Sequence, residues 1–427
     1  MKKGITIILL MLLIPVFGLL AAGNSEKDDN AAGDVVTVSY ITWDSGKGVE
    51  ITQSIIDAFE EKNPGIKIEL QSVPQGYDDK VLTAHAAGDT PDGLMMWNTS
   101  QWAEAGIVED LSSYIDRDNY DMDRYLPVPK LWAEYKGGIY GLPKDFTPRA
   151  IFYNKNVFDE AGVSYPEAGW TFDDFVSTVK AINNNESGAA ARYGYVAIPG
   201  HTYALQAFIW SNGGDLCSPD GTVASGYINS EAVVEVIQWY KTLFDMSIST
   251  GTMDAYQNLG QNEFQSGIVG MMDNGLWPLS VYKNDSSLNF GIAFPPVPHS
   301  GDSVTPVIHS ATWSMFAKAE NKDATWEFIK YIGGPDGARV FANERWGLPV
   351  FKGMAEELGL LDDEYMKVFV ELGAEANKAP VFLRNPNWFE ADNEFKLALE
   401  QIFLEDKDVQ TALDEAAVRM DKILKAK

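Results

Sequence analysis

From residue 35 to residue 98 the chain repeats one alternation, and that alternation decides the fold class. Val35-Val-Thr-Val-Ser-Tyr-Ile41 is apolar and β-branched, the composition of a strand. Ile51, Ile55 and Phe59 then recur at a spacing of four, giving one apolar face to a helix from about Glu50 to Lys62. Asn63-Pro64-Gly65 stops that helix. Ile66, Ile68 and Leu70 alternate with Lys67 and Glu69 in a second strand. A helix follows near Tyr77–Ala87, and Gly93-Leu-Met-Met-Trp97 is a third, buried strand. The order β-α-β-α-β predicts an α/β fold with an open, largely parallel sheet. Ligands of such sheets collect at the carboxyl ends of the strands. Trp43-Asp44 and Trp97-Asn98 stand at two of those ends and are candidate ligand contacts. Core packing is the alternative use of each tryptophan.

With 427 residues the chain is too long for one ordinary domain, so two or more are expected. The stretch Tyr135-Lys-Gly-Gly-Ile-Tyr-Gly-Leu-Pro143 is turn-rich, and Ala150-Ile-Phe-Tyr-Asn154 is an apolar, strand-like run. Between them lie Lys144, Asp145, Pro148 and Arg149, with Pro143 restricting the backbone at the entry. The stretch reads as a crossing between two lobes that presents Asp145 at the junction. An ordinary loop feeding a buried strand is the alternative.

Gly138-Ile-Tyr-Gly-Leu-Pro143, followed by Ala150-Ile-Phe-Tyr-Asn154, Phe158 and Glu160, resembles the signature of the family 1 extracellular solute-binding proteins. These are the sugar-binding receptors of ABC importers. The chain departs from the stricter pattern at Lys144, where an apolar residue is usual. The resemblance covers nearly all of residues 35–427. It implies a two-lobed periplasmic-binding-protein fold of type II, with the ligand cleft between lobes joined by three hinge crossings near 145–150, 309–314 and 376–382. The first lobe is then 35–147 with 314–377, and the second 148–313 with 378–427. In the family, a Phe-x-x-Gly-x-x-x-Met run ending in Gly and Trp places the tryptophan at the sugar. Here that run is Glu263–Met272, and the positions after it are Asn274, Gly275 and Trp277. Trp346-Gly-Leu-Pro349 resembles the family's late turn.

Further elements follow the same logic. Thr171 with Asp174 three residues on is a capping-box start, with Trp170 and Phe175 as its staple. Arg192–Ile198 reads as a strand, Ser230 as the cap of a helix carrying Val233, Ile237, Tyr240 and Phe244, and Asp323–Ile332 as a helix closed by Gly333. At the other end, Lys2 and Lys3 precede an apolar run from Ile5 to Leu20 and the small residues Ala21-Ala22-Gly23. That is the pattern of a cleavable export signal over 1–23, with 24–34 as a disordered leader. The lone Cys217 cannot form an internal disulfide, and no cysteine follows residues 21–23 to accept a lipid. A soluble receptor of this kind needs an outer membrane to confine it, so a periplasmic location is inferred. A monomer is expected.

The net charge of −28 argues against nucleic acid or an anionic membrane as partner. The chain carries 12 Trp, 18 Tyr and 21 Phe. A sugar presents a face of C–H groups and a rim of hydroxyls, so an aromatic face with carboxylates and amides around it is the matching surface. Trp43, Trp97, Trp210, Trp277, Trp313 and Trp388 all adjoin turn residues or polar amides, and roughly half are expected at the ligand. Asp44 and Asp145 are the expected anchors. No Gly-x-Ser-x-Gly elbow, P-loop or histidine metal-ligand spacing is present, so neither enzyme, cofactor nor metal is expected. A glycosidase remains an alternative, because 61 acidic residues could supply a catalytic pair that no local motif reveals. A phosphate ester would call on Arg149 and Arg345, and a polyamine on carboxylates such as Asp44, Asp145 and Asp273 among aromatics. The expected function is a carbohydrate receptor, for an oligosaccharide, serving an ABC permease.

Overall fold

The computed structural model describes residues 35–426 except 185, 187–189, 199 and 250–260. The export-signal and leader segments therefore lie outside the described residues. Two five-stranded sheets organise the rest. The first runs β2-β1-β3-β12-β6, built from β1 (Val36–Thr42), β2 (Ile66–Ser72), β3 (Gly93–Met96), β6 (Leu142–Pro148) and β12 (Ile308–Met315). The second runs β11-β7-β10-β8-β9, from β7 (Ala150–Asn154), β8 (Tyr193–Ala197), β9 (Ile248–Ser249), β10 (Val269–Asn274) and β11 (Phe290–Ala293). A separate hairpin of β4 (Glu134–Tyr135) and β5 (Gly138–Ile139) holds the turn-rich stretch.

The opening alternation is realised as β1, a helix Lys47–Lys62, β2, a helix Tyr77–Ala87 and β3. Both β2 and β3 pair with β1 in parallel. The sheets are nonetheless mixed rather than largely parallel. β12 runs antiparallel to β3 and β6, and β7 runs antiparallel to β10 and β11. In the first sheet the reason is connectivity: β6 leaves for the second sheet and β12 returns from it, so the two run in opposite directions. Tyr40 locks the first sheet. It is fully buried, its hydroxyl donates to the Leu94 carbonyl at 2.7 Å, and it accepts from the Ser314 amide at 3.0 Å. Its ring lies flat over Gly93, where a Cβ would sit 2.1 Å from the ring, so only glycine fits.

Arg149 alone separates β6 of the first sheet from β7 of the second. The chain returns to the first sheet along β12, so Ile308–Trp313 belong with the first sheet and the expected boundary after Trp313 is displaced to before Ile308. The stretch 376–382 ends in a 3-10 turn, Val381–Leu383, whose Phe382 carbonyl accepts from the Ser100 hydroxyl. The capping box at Thr171 and Asp174 is present, with Trp170 and Phe175 rings 5.0 Å apart. Ser230 precedes the helix Glu231–Met246, but its side chain makes no capping bond, contrary to expectation. The helices Trp388–Leu404 and Val409–Leu424 close the chain. Among the described residues no helix is long and apolar enough to cross a membrane.

Candidate functional site

A cavity of about 880 Å³ opens where the carboxyl ends of β1 and β3 meet β6, the 275–277 turn and the helix Thr202–Ser211. Its volume lies in the range of small-molecule sites. Trp43, Asp44, Trp97, Asp145, Trp277 and Trp388 all line it.

Trp43 and Asp44 follow β1 directly. Trp43 stands edge-on to Tyr77, with ring centres 5.2 Å apart. Asp44 is held by its own backbone: its amide donates to the Thr42 hydroxyl at 3.0 Å, and its carbonyl accepts from Ser72 Oγ at 2.7 Å. Trp97, at the end of β3, donates through Nε1 to Asp78 Oδ1 at 3.2 Å. Phe382 and Phe389 stand edge-on against the same indole at 5.5 and 5.2 Å.

Lys144 is the polar centre of this wall and was not singled out from the sequence as a ligand contact. The strand position that should be apolar carries a side chain only 4% exposed. Its Nζ lies 2.7 Å from Asp145 Oδ2 and 3.7 Å from Asp44 Oδ2, above the Phe341 ring at 4.4 Å. Burial alone would lower the Lys144 pKa, but the charges of Asp145 and Asp44 outweigh it and the pKa is raised. Burial likewise raises the Asp44 pKa, against the opposing pull of Lys144. A lysine in a strand would ordinarily turn to solvent; here two carboxylates draw the cation inward.

The second wall is held by a buried ion pair. Arg149 Nε donates to Asp273 Oδ2 at 2.8 Å and its NH2 to the Asp273 carbonyl at 2.7 Å. Arg149 NH1 approaches His309 Nε2 at 3.5 Å. His309 and His201 both line the cavity, and both have pKa values held well below the usual histidine range, first by burial and then by the Arg149 charge. Asp273 and Arg149 are thus engaged with each other rather than offered to a polyamine or a phosphate.

Six expected contacts do not line the cavity. Asn98 is 2% exposed and its side-chain NH2 donates to Gln101 Oε1. Trp210 is buried beside Ala207 and Val307, with Nε1 directed to Asp215 at 3.2 Å. Trp313 is wholly buried between Tyr40 and Phe341, because it sits mid-strand in β12 on the face turned to the core. Arg345 is near the surface, donating to the Asn343 carbonyl at 2.8 Å with its Nε 3.8 Å from Asp363. Asn274 is buried, and its Oδ1 accepts from the Gly275 amide at 2.9 Å. Gly275 seats the neighbouring tryptophan instead: a Cβ there would lie 2.2 Å from the Trp277 ring. Trp277 then stands perpendicular to His309 at 5.3 Å. Gly275→Ala should push the indole off this seat and weaken ligand binding about as much as losing the ring. Titration calorimetry of the variant checks this, and unchanged affinity would refute it.

Residues missed in the sequence include Trp132, Thr202, Tyr203, Gln206, Trp346 and Asp392. Trp346 was noted only as part of a turn. Asp392 lies four residues past Trp388, on the same helical face, a spacing that was readable.

The sequence model of the bacterial extracellular solute-binding proteins matches residues 43–339. The chain belongs to that family. Its members are non-catalytic, and this solute-binding protein serves an ABC importer. It is similar to a binding protein of Brucella abortus, 27% identical over 97% of this chain and 98% of the relative. It is 26% identical to the maltotriose-binding protein of Pyrococcus abyssi, over 74% of this chain and 66% of that one. A Listeria monocytogenes ABC substrate-binding protein in complex with cycloalternan shares the fold, with a TM-score of 0.81 at 22% identity, covering 92% of this chain and all of that one. The two-sheet α/β architecture of the solute-binding protein is thus that of the periplasmic-binding-protein fold.

Proposed function

We propose that this solute-binding protein captures a neutral oligosaccharide between its two sheets and delivers it to the membrane permease of an ABC importer. One observation carries the reading. A single cavity combines four of the expected tryptophans with carboxylates whose cations are already supplied by the protein. Rings suit the C–H faces of a sugar and carboxylates its hydroxyls. The maltotriose and cycloalternan bound by similar proteins agree with it. We further propose that the lobes, 35–147 with 314–377 and 148–313 with 378–427 apart from the β12 residues, close about the three crossings as a hinge. Closure follows only from a ligand that bridges both lobes, because a shift requires differential affinity for the two states. The closed shape is what the permease reads. The protein works as an exported monomer in the periplasm.

A cationic solute such as a polyamine is the second reading. Asp44, Asp78, Asp79, Asp145 and Asp392 line the cavity against only Lys144 and Lys396 among the described residues. A thermal-shift panel of oligosaccharides, phosphate esters and polyamines separates the readings, since a specific ligand raises the melting temperature. Within the sugar reading, Trp277→Ala should weaken binding by about 1–3 kcal/mol, the loss expected from removing a stacking face. Ligand-driven compaction in small-angle scattering should shrink with it. Unchanged affinity and compaction would show that Trp277 serves only the fold.

A further inference from the structure

We propose that Asp392 and Gln206 form a hydroxyl-recognising subsite on the second wall, matching the one that Asp44 provides on the first. This rests on the sugar reading and deepens it. Each of the three residues lines the cavity and is more than nine-tenths buried; Gln206 Oε1 and Asp392 Oδ1 have no hydrogen-bond donor, and Asp44 Oδ2 has only the Lys144 ammonium, 3.7 Å away and beyond hydrogen-bond distance. A buried acceptor left unpaired is costly, and native proteins keep few of them. Three on residues around one cavity mark the positions where a ligand's donors are wanted.

The pairing of the other Asp392 oxygen sets the chemistry. Oδ2 accepts from the Thr202 hydroxyl at 3.0 Å and lies 2.8 Å from Lys396 Nζ, one turn along its own helix. Two donors therefore fix the carboxylate and balance its charge, leaving Oδ1 for a neutral donor. Gln206 is one turn beyond Thr202 on the helix Thr202–Ser211, so it shares the face to which Asp392 is tied. Gln206 is an uncharged acceptor and adds no negative charge to draw an ammonium. A solute bearing hydroxyls at both ends reaches Asp44 from one wall and this pair from the other, which makes Asp392 and Gln206 determinants of specificity.

The test is titration calorimetry of the wild type, Asp392→Leu and Gln206→Leu against maltotriose, raffinose and galactotriose, with melting temperatures of the unliganded proteins alongside. Each variant should lose about tenfold or more in affinity for the sugar that the wild type takes, while its unliganded melting temperature changes by only a few degrees. Should Asp392→Leu fail to fold, Gln206→Leu carries the test. Affinity within about twofold of wild type in a folded variant overturns the subsite and leaves the sugar reading intact. A wild type that takes none of the three sugars overturns the sugar reading, and the subsite with it.

Discussion

Lys144→Met should lose about 3–5 kcal/mol of folding stability at neutral pH, because it strands two carboxylates that are drawn together around one buried cation. The methionine fills the lysine's place over Phe341, so the loss is electrostatic rather than a packing defect. The pH dependence follows from the sign of the Asp44 shift. Burial already raises its pKa, and the Lys144 charge is the main influence that opposes this. Without the lysine that pKa rises further, the native state of the variant binds a proton more readily than the unfolded chain, and its deficit shrinks as pH falls. Urea unfolding at neutral pH and near pH 5 measures both effects. A neutral-pH deficit below about 1 kcal/mol would mean that the triad contributes little to the fold.

Arg149→Met should cost a similar amount, about 3–5 kcal/mol, by leaving the Asp273 carboxylate buried without its cation. The double variant Arg149→Met, Asp273→Leu should recover most of it, since exchange of a whole buried pair for apolar groups is often near neutral. A second effect separates this pair from the Lys144 triad. In the wild type, His201 and His309 stay neutral in the fold because burial and then Arg149 depress their pKa values. Below the unfolded histidine pKa of about 6.5 the unfolded chain binds protons that the native state refuses, so these groups erode stability as pH falls. Loss of Arg149 raises both native pKa values, and acid sensitivity between about pH 6.5 and 5 should lessen. Denaturant midpoints across that window, with histidine resonances followed by NMR, test it. An unchanged slope would show that Arg149 does not govern the imidazoles.

The elements of the first sheet were legible because they are local. Ile51, Ile55 and Phe59 declare a helix face within nine residues, and the Tyr77–Ala87 helix has the limits its sequence suggests. Thr171 and Asp174 need only each other. What depended on distant pairing was not legible. The direction of β12 is set by strands more than 150 residues earlier, so the mixed character of the sheets had no local signature. Tryptophans divided along the same line. Trp43 and Trp97 follow the last residue of a strand, where chain ends open onto a cavity, whereas Trp313 lies inside a strand, where alternation turned it to the core. Lys144 shows the limit most clearly. Read locally, a lysine suggests solvent, and it takes Asp44, a hundred residues away, together with the adjacent Asp145 to explain why it is buried.

The place of β12 in the first sheet also has a temporal meaning. That strand sits between β3 and β6, yet it comes from residues 308–315. A growing chain therefore cannot complete its first sheet until all of the second sheet's strands have been synthesised. Until then β3 and β6 expose edges that have no partner, and sheet closure waits on a contact of long sequence separation, which slows folding. On the export route proposed above, such a delay is useful. The topology keeps the leading portion from settling into a finished globule before its last third has emerged.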